Sequence, residues 1–163
     1  MYRICLVCLG NICRSPMAEV VVRGELGRAG LSGKVAVDSA GTGDWHLGGP
    51  MDTRAQAELS RRGYDGSAHR ARQIDRSWLG GYDLIIAMDH GNLRSLRRMA
   101  AGRPELAGRF RLLRSFDPAA DPEAEVPDPY GGAAEEFAEV FGLVLAAARG
   151  LAGQLAEQLG DRG

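Results

Sequence analysis

Cys8 and Arg14 stand near the two ends of one short run, Cys8-Leu9-Gly10-Asn11-Ile12-Cys13-Arg14-Ser15. The run follows an apolar stretch, residues 2–7, that reads as a buried strand. It precedes a helical pattern over 16–28, with Ser15 and Pro16 at its start. A loop in that setting aims backbone N–H groups and the positive end of a helix at one point, where a dianion binds. Cys8 and Arg14 bracket that point as a nucleophile and a fixed guanidinium. The combination suits chemistry on a phosphate monoester. It is not the nucleotide-binding glycine loop, because no Gly-Lys-Ser/Thr follows Gly10.

A phosphate held there would receive N–H groups from Leu9, Gly10, Asn11, Ile12, Cys13 and Arg14, with a two-pronged grip from the Arg14 guanidinium. The same field favours a negatively charged Cys8 sulfur. The Ser15 hydroxyl is in position to bond that sulfur and ease its departure. Gly10 permits close backbone approach, and Asn11 is a residue type that tolerates positive φ and can lock the loop with its side chain. Cys13 is a candidate for a reversible disulfide with Cys8 that protects against overoxidation; the plainer alternative is filler behind the loop. Cys5 belongs to the core. A leaving alcohol needs a proton, and Asp128, followed by Pro129 and Tyr130, is the favoured donor and subsequent base. Asp117 and Asp121 in the same acidic stretch remain open alternatives. A Cys followed six residues later by Arg is a weak signal alone; strand context, Gly10, Asn11 and Ser15-Pro16 strengthen it.

The elements that must position these residues alternate short apolar strands with helices, the pattern of a parallel α/β sheet. Strands are expected over residues 2–7, 35–39, 84–88 and 109–113, and helices over 16–28, 53–62, 75–79, 93–101 and about 133–159. In the last helix Phe137, Phe141, Val144, Ala148, Leu151 and Leu155 recur at steps of three and four, one apolar stripe for covering the sheet. Its partly polar outer face leaves room for a small dimer surface. Ligand loops in such sheets lie beyond the carboxyl ends of the strands. Three stretches meet that condition: 8–15; 40–52, with four glycines around Trp45-His46; and 114–132, rich in Pro, Asp and Glu.

At 163 residues the chain fits one domain, 1–163. Apolar content of 45%, charged content of 25% and a net charge of -1 argue against a general pull toward nucleic acid or acidic lipid. Arg61, Arg62, Arg70, Arg72 and Arg76, and again Arg94, Arg97 and Arg98, read as solvated surface. No signal peptide is evident, and no apolar run approaches the roughly 18 residues of a membrane span. Three clustered cysteines form neither a disulfide framework nor a zinc site, which points to a reducing cytoplasm.

With these residues in place, the chain resembles the low-molecular-weight protein tyrosine phosphatases. Cys8 to Pro16 matches that family's signature almost letter for letter. Further matches are Asp38-Ser39-Ala40-Gly41-Thr42, Trp45-His46, Asp52-Thr53-Arg54-Ala55, His69-Arg70-Ala71-Arg72-Gln73, Met88-Asp89 and Asp128-Pro129-Tyr130, so the resemblance runs from residue 2 to about 160. It implies a single-domain, four-stranded parallel twisted sheet flanked by helices on both faces. It also implies hydrolysis of protein phosphotyrosine through a phosphocysteine, with no cofactor and no metal. Cys8 would be the nucleophile, Arg14 the phosphate clamp and Asp128 the acid and then the base. The likeness assigns Asn11, Ser15, Ser39 and His69 to a network that holds the loop, and Trp45 and Tyr130 to the walls of an aromatic slot. Many relatives carry a second aromatic after the position of Tyr130, where this chain has Gly131-Gly132, an expected widening of the rim.

Arsenate reductases share the loop but need further cysteines, and none follows Cys13. Protein arginine phosphatases typically carry Thr where Ile12 stands, and Ile12 favours an aryl phosphate. A silent phosphate-binding module would need neither Cys8 nor Asp128. The expected partners are phosphotyrosine proteins, such as a bacterial tyrosine kinase or its substrates, and the expected state is a monomer or weak homodimer.

Overall fold

The computed structural model describes residues 1–160, so 161–163 of the expected domain lie outside the described residues. Four strands, β1 (Tyr2–Cys8), β2 (Val35–Gly41), β3 (Leu84–Ala87) and β4 (Phe110–Leu112), form one parallel sheet in the order β2-β1-β3-β4. β1 and β3 are nearly continuous apolar runs because both faces of the sheet are covered. Ile4, Leu6 and Cys8 join one core layer with α1 (Arg14–Arg28), α2 (Thr53–Arg61) and α4 (Ala134–Gly160). Cys5 and Val7 join the other, with α3 (His90–Met99) and Leu79. The fold class is the expected one.

The edges of the elements differ from expectation where side chains intervene. The expected helix over 75–79 is a 3₁₀ turn, Arg76–Gly81, started by the Asp75 carboxylate accepting from the Ser77 N–H. α3 begins at His90 rather than 93 because Asp89 and Asn92 form a reciprocal capping box. β4 keeps only three residues, with 3₁₀ turns on either side.

α4 is long and apolar enough to cross a membrane, with mean hydropathy 1.3 over its best window. This departs from the expectation that no stretch reaches that length, because at most two charged residues fall within that window. Its stripe of Phe137, Val140, Phe141, Val144, Ala148, Leu151 and Leu155 is buried in the first core layer. Arg61, Arg62, Arg70 and Arg76 stand exposed as expected, yet some of these surface arginines also tie the chain to itself. Arg61 and Arg62 both pair with the buried Glu58 carboxylate. Arg72 meets Asp38 at 3.0 Å and lies over the Trp78 ring. Arg94, Arg97 and Arg98 do stand exposed on α3.

β1 pairs with β2 on one side and β3 on the other, so the chain reverses its direction of winding at β1. The crevice at such a switch point, beyond the strand's carboxyl end, is where this class of sheet binds ligands. The loop after β1 opens there.

Candidate active site

β1 runs through Cys8, which pairs with Gly41, and α1 starts at Arg14, so the whole turn takes residues 9–13. Cys13 is the N-cap and makes no side-chain cap bond. Ser15 therefore does not start the helix as expected; it lies inside the first turn, with its hydroxyl 2.9 Å from Cys8 Sγ. Without a capping side chain, the first-turn N–H groups are left for an anion.

Asn11 holds this turn together. It is buried, with φ at 58°, in the left-handed region that Asn tolerates better than most side chains. Its Oδ1 accepts from the Arg72 N–H at 3.0 Å, and a backbone N–H can only donate, so the amide orientation is decided. The NH₂ group then donates to Ser15 Oγ at 2.8 Å and Ser39 Oγ at 3.0 Å. Ser15 oxygen is thus already an acceptor, which directs its own proton to the Cys8 sulfur. The Asn11 N–H donates to the same sulfur at 3.3 Å. His69 Nε2 lies 2.7 Å from the Asn11 carbonyl oxygen, so that nitrogen carries the proton. Gly41 admits this packing, since a Cβ there would sit 2.5 Å from the Leu9 oxygen and 3.2 Å from Asn11.

Arg14 is buried and tied on one side only. Its Nη1 donates to Asp89 Oδ2 at 2.7 Å and to the Val126 carbonyl at 3.0 Å, while Nη2 lies 3.8 Å from Asp128 Oδ2. Among the described residues no hydrogen bond occupies Nε or Nη2. Burial works to raise the Asp89 pKa, but the Arg14 hydrogen bond, the Asn92 N–H and the Arg14 charge outweigh it and hold the carboxyl below its ordinary value. Asp89→Asn is therefore expected to cost about 1–3 kcal/mol of stability at neutral pH. A carboxylate with a depressed folded value stabilises above its ordinary value of 3.8, and that contribution is lost as pH falls through the folded value. Denaturant unfolding of the two proteins should converge as the pH drops below 3.8. A gap that stayed constant would mean lost packing, not lost charge.

Cys8, Leu9, Gly10, Ile12, Cys13, Arg14, Trp45, His46, Asp128 and Tyr130 line one cavity of about 380 Å³. Asp117 and Asp121 are not among them; each carboxylate caps a local turn, accepting from Ala119 N and Glu123 N. Asp128 is half exposed, and its Oδ1 accepts from the Tyr130 N–H at 3.1 Å. Close to Gly10 is the His46 ring, 3.1 Å from where a Cβ would be, and that ring lies 6.1 Å from the Tyr130 ring. Gly131-Gly132 forms a tied turn beside the rim. Gly131 takes a φ of 79°, Gly132 N–H closes a turn on Pro129 oxygen, and Arg54 Nη1 grips the Gly132 carbonyl at 2.7 Å. Cys13 and Cys8 are both free thiols in this cavity, and burial pushes the Cys13 thiol up to about 12, helped by Asp52 and Cys8.

The model of one family, low molecular weight phosphotyrosine protein phosphatase, matches residues 3–161. The chain belongs to this family. A low molecular weight protein-tyrosine-phosphatase of Streptomyces coelicolor is 49% identical over 162 residues, covering 99% of this chain and 98% of the relative. Low molecular weight protein-tyrosine phosphatase A of Mycobacterium tuberculosis is 43% identical over 158 residues, covering 96% and 93%. A crystal structure of protein tyrosine phosphatase from Entamoeba histolytica, 32% identical, is similar with a TM-score of 0.90 over 97% of this chain and 99% of that one.

In this member of the low molecular weight phosphatases, two site residues carry no sign of their role in the sequence. Asp89 belongs to a matched motif, yet its only local sign is a helix cap, which an Asp before a helix normally explains. His46 likewise belongs to a matched pair, Trp45-His46, in the glycine-rich second loop, and nothing local in the sequence points to its place beside Gly10 and Tyr130. Both declare themselves only through their contacts.

Proposed function

We propose that this chain hydrolyses phosphotyrosine in proteins to tyrosine and phosphate through a phosphocysteine intermediate, acting as one catalytic domain over residues 1–163. The observation that carries the reading is convergence. Cys8 Sγ, bonded by Ser15 and Asn11, shares one cavity with Arg14 and Asp128, and Trp45 and Tyr130 add aromatic rings to its lining.

In the first step the Cys8 thiolate attacks phosphorus in line and the bond to the tyrosine oxygen breaks. Asp128 gives that oxygen its proton. In the second step the Asp128 carboxylate takes a proton from water, the resulting hydroxide attacks phosphorus, and the sulfur–phosphorus bond breaks. Phosphate leaves and the thiolate returns, eased by the Ser15 hydroxyl. Leu9 to Arg14 supply N–H groups to the non-bridging oxygens, and the free edge of Arg14 braces them in both transition states. These groups supply the positive field, so no step calls on a metal or cofactor. Leu9, Ile12, Trp45 and Tyr130 offer apolar contact to a phenyl ring.

Peptides carrying phosphotyrosine, phosphoserine or phosphoarginine, assayed side by side, test the reading. Phosphotyrosine should lead phosphoserine by on the order of 10²–10⁴-fold in kcat/KM. Faster release from phosphoarginine would instead make this an arginine phosphatase, and phosphate binding without any turnover would make it a binding module. Ile12, half-buried in the cavity wall and without a hydroxyl, favours the aryl ester. A cytoplasmic location, a bacterial tyrosine kinase or its substrates as partner, and a monomeric or weakly dimeric state complete the proposal.

A further inference from the structure

Five large apolar side chains stand exposed among the described residues: Met1, Leu9, Trp45, Leu47 and Tyr130. Leu9, Trp45 and Tyr130 line the cavity over Cys8, whereas Leu47 does not. A single exposed Leu ordinarily means nothing. Leu47, however, is 59% exposed two residues beyond Trp45, so it adds an apolar side chain to the turn that carries part of the cavity's lining.

The turn is built firmly. Thr42 N–H donates to the Cys8 oxygen and Gly43 N–H to the Leu9 oxygen, both at 2.9 Å; Gly48 N–H reaches the Ala71 oxygen and Gly49 N–H the His46 oxygen, both at 2.8 Å. The indole of Trp45 lies against Gly43, where a Cβ would come within 1.8 Å of the ring. The Trp45 ring and the backbone that carries Leu47 are therefore held in place without a ligand, which lowers the ordering cost of binding one. Tyr130, which also lines the cavity, is followed by two glycines, which offer a substrate no side chain. Asp44, exposed at the start of the turn, adds a negative charge beside Leu47.

We infer that Leu47 is a specificity-determining contact, and that this protein selects phosphotyrosine segments carrying a large aliphatic or aromatic side chain close to the phosphotyrosine. The inference rests on the phosphotyrosine reading of the site. An extended peptide advances about 3.3 Å per residue, so near neighbours of a slotted phosphotyrosine reach the turn beyond Trp45. A substrate segment fits this patch better than a second copy of the chain, because a copy seated on Leu47 and Trp45 would close the cavity beside it. Asp44 disfavours an acidic neighbour at the same lip.

Phosphotyrosine peptides differing only in Leu, Ala or Glu at the flanking positions test this against the wild type, Leu47→Ala, Leu47→Gln and Leu47→Met. In the wild type the best Leu peptide should exceed its Ala counterpart roughly five- to twentyfold in kcat/KM. The gain should lie in KM, since the contact is remote from the reacting atoms. Leu47→Ala and Leu47→Gln should cut that ratio below about twofold, and Leu47→Met should restore most of it. Thermal unfolding checks that each variant is folded, and the Gln and Met pair carries the comparison if Ala is not. A ratio near one in the wild type, or the same ratio in all four proteins, overturns the inference alone. So does a wild-type dimer in sedimentation that Leu47→Ala dissociates, which would give the patch to a second copy. Failure of the wild type on every phosphotyrosine peptide takes the underlying reading down as well.

Discussion

Cys8→Ser is expected to lower turnover of an aryl phosphate by on the order of 10⁴–10⁶-fold while inorganic phosphate still binds. The reason lies in what surrounds the sulfur. Its polar partners are the Ser15 hydroxyl and the Asn11 N–H, both suited to stabilising negative charge, and among the described residues no carboxylate or imidazole hydrogen-bonds to it. A hydroxyl at that position has no hydrogen-bonded base to take its proton, and Asp128 must enter the first step protonated, so the hydroxyl cannot replace a thiolate as nucleophile. The cradle itself is untouched: Arg14 keeps its ties to Asp89 and Val126, and Asn11 keeps its bonds to Ser39 and Arg72. Steady-state hydrolysis of para-nitrophenyl phosphate and calorimetry of phosphate binding read the two effects separately. Persisting hydrolysis would mean that another group attacks phosphorus. Loss of binding together with hydrolysis, in a variant that still melts as the wild type does, would mean the thiol is part of the cradle rather than its nucleophile.

Asp128→Ala is expected to slow hydrolysis by roughly 10²–10⁴-fold for aryl phosphates with basic leaving groups, and much less for acidic ones. An acidic phenol departs as its anion and needs no proton, whereas tyrosine does. A plot of rate against leaving-group acidity should therefore be shallow for the wild type and steep for the variant. Parallel plots would remove Asp128 from the acid role. The fold should tolerate the change, because the side chain is 48% exposed and its tie to Arg14 is long, 3.8 Å. A stability change within about 0.5 kcal/mol is the expectation. Asp128→Asn, which keeps the shape and the turn-closing acceptor toward Tyr130 N–H, should lose the acid function equally.

Much of this site is legible in the sequence, because its central part is local. Residues 8–15 carry nucleophile, amides and guanidinium on one short segment, and the flanking apolar run and helix pattern dictate where that segment points. The choice of Asp128 over Asp117 and Asp121 is another matter. All three lie in one acidic stretch and all three cap their own turns; they part company only in space, where Asp128 alone of them lines the cavity. The Arg14–Asp89 bond spans 75 positions, and the two bonds that fix the Asn11 side chain to Ser39 and Arg72 span 28 and 61. No periodicity signals such pairs. The start of α3 and the 3₁₀ turn at Arg76–Gly81 depart from expectation for a related reason: side-chain caps, not apolar spacing, decide where those elements begin.

By itself, then, the order of residues determined the class of sheet, the anion-binding turn and the cysteine chemistry, since each depends on neighbours along the chain. Folding decided which carboxylate meets the arginine, which amide orientation sends the Ser15 proton to sulfur, and which exposed apolar side chains gather at one mouth. Those outcomes depend on distances across the sheet, and a backbone that winds from β1 to both its neighbours brings together residues that lie far apart along the chain.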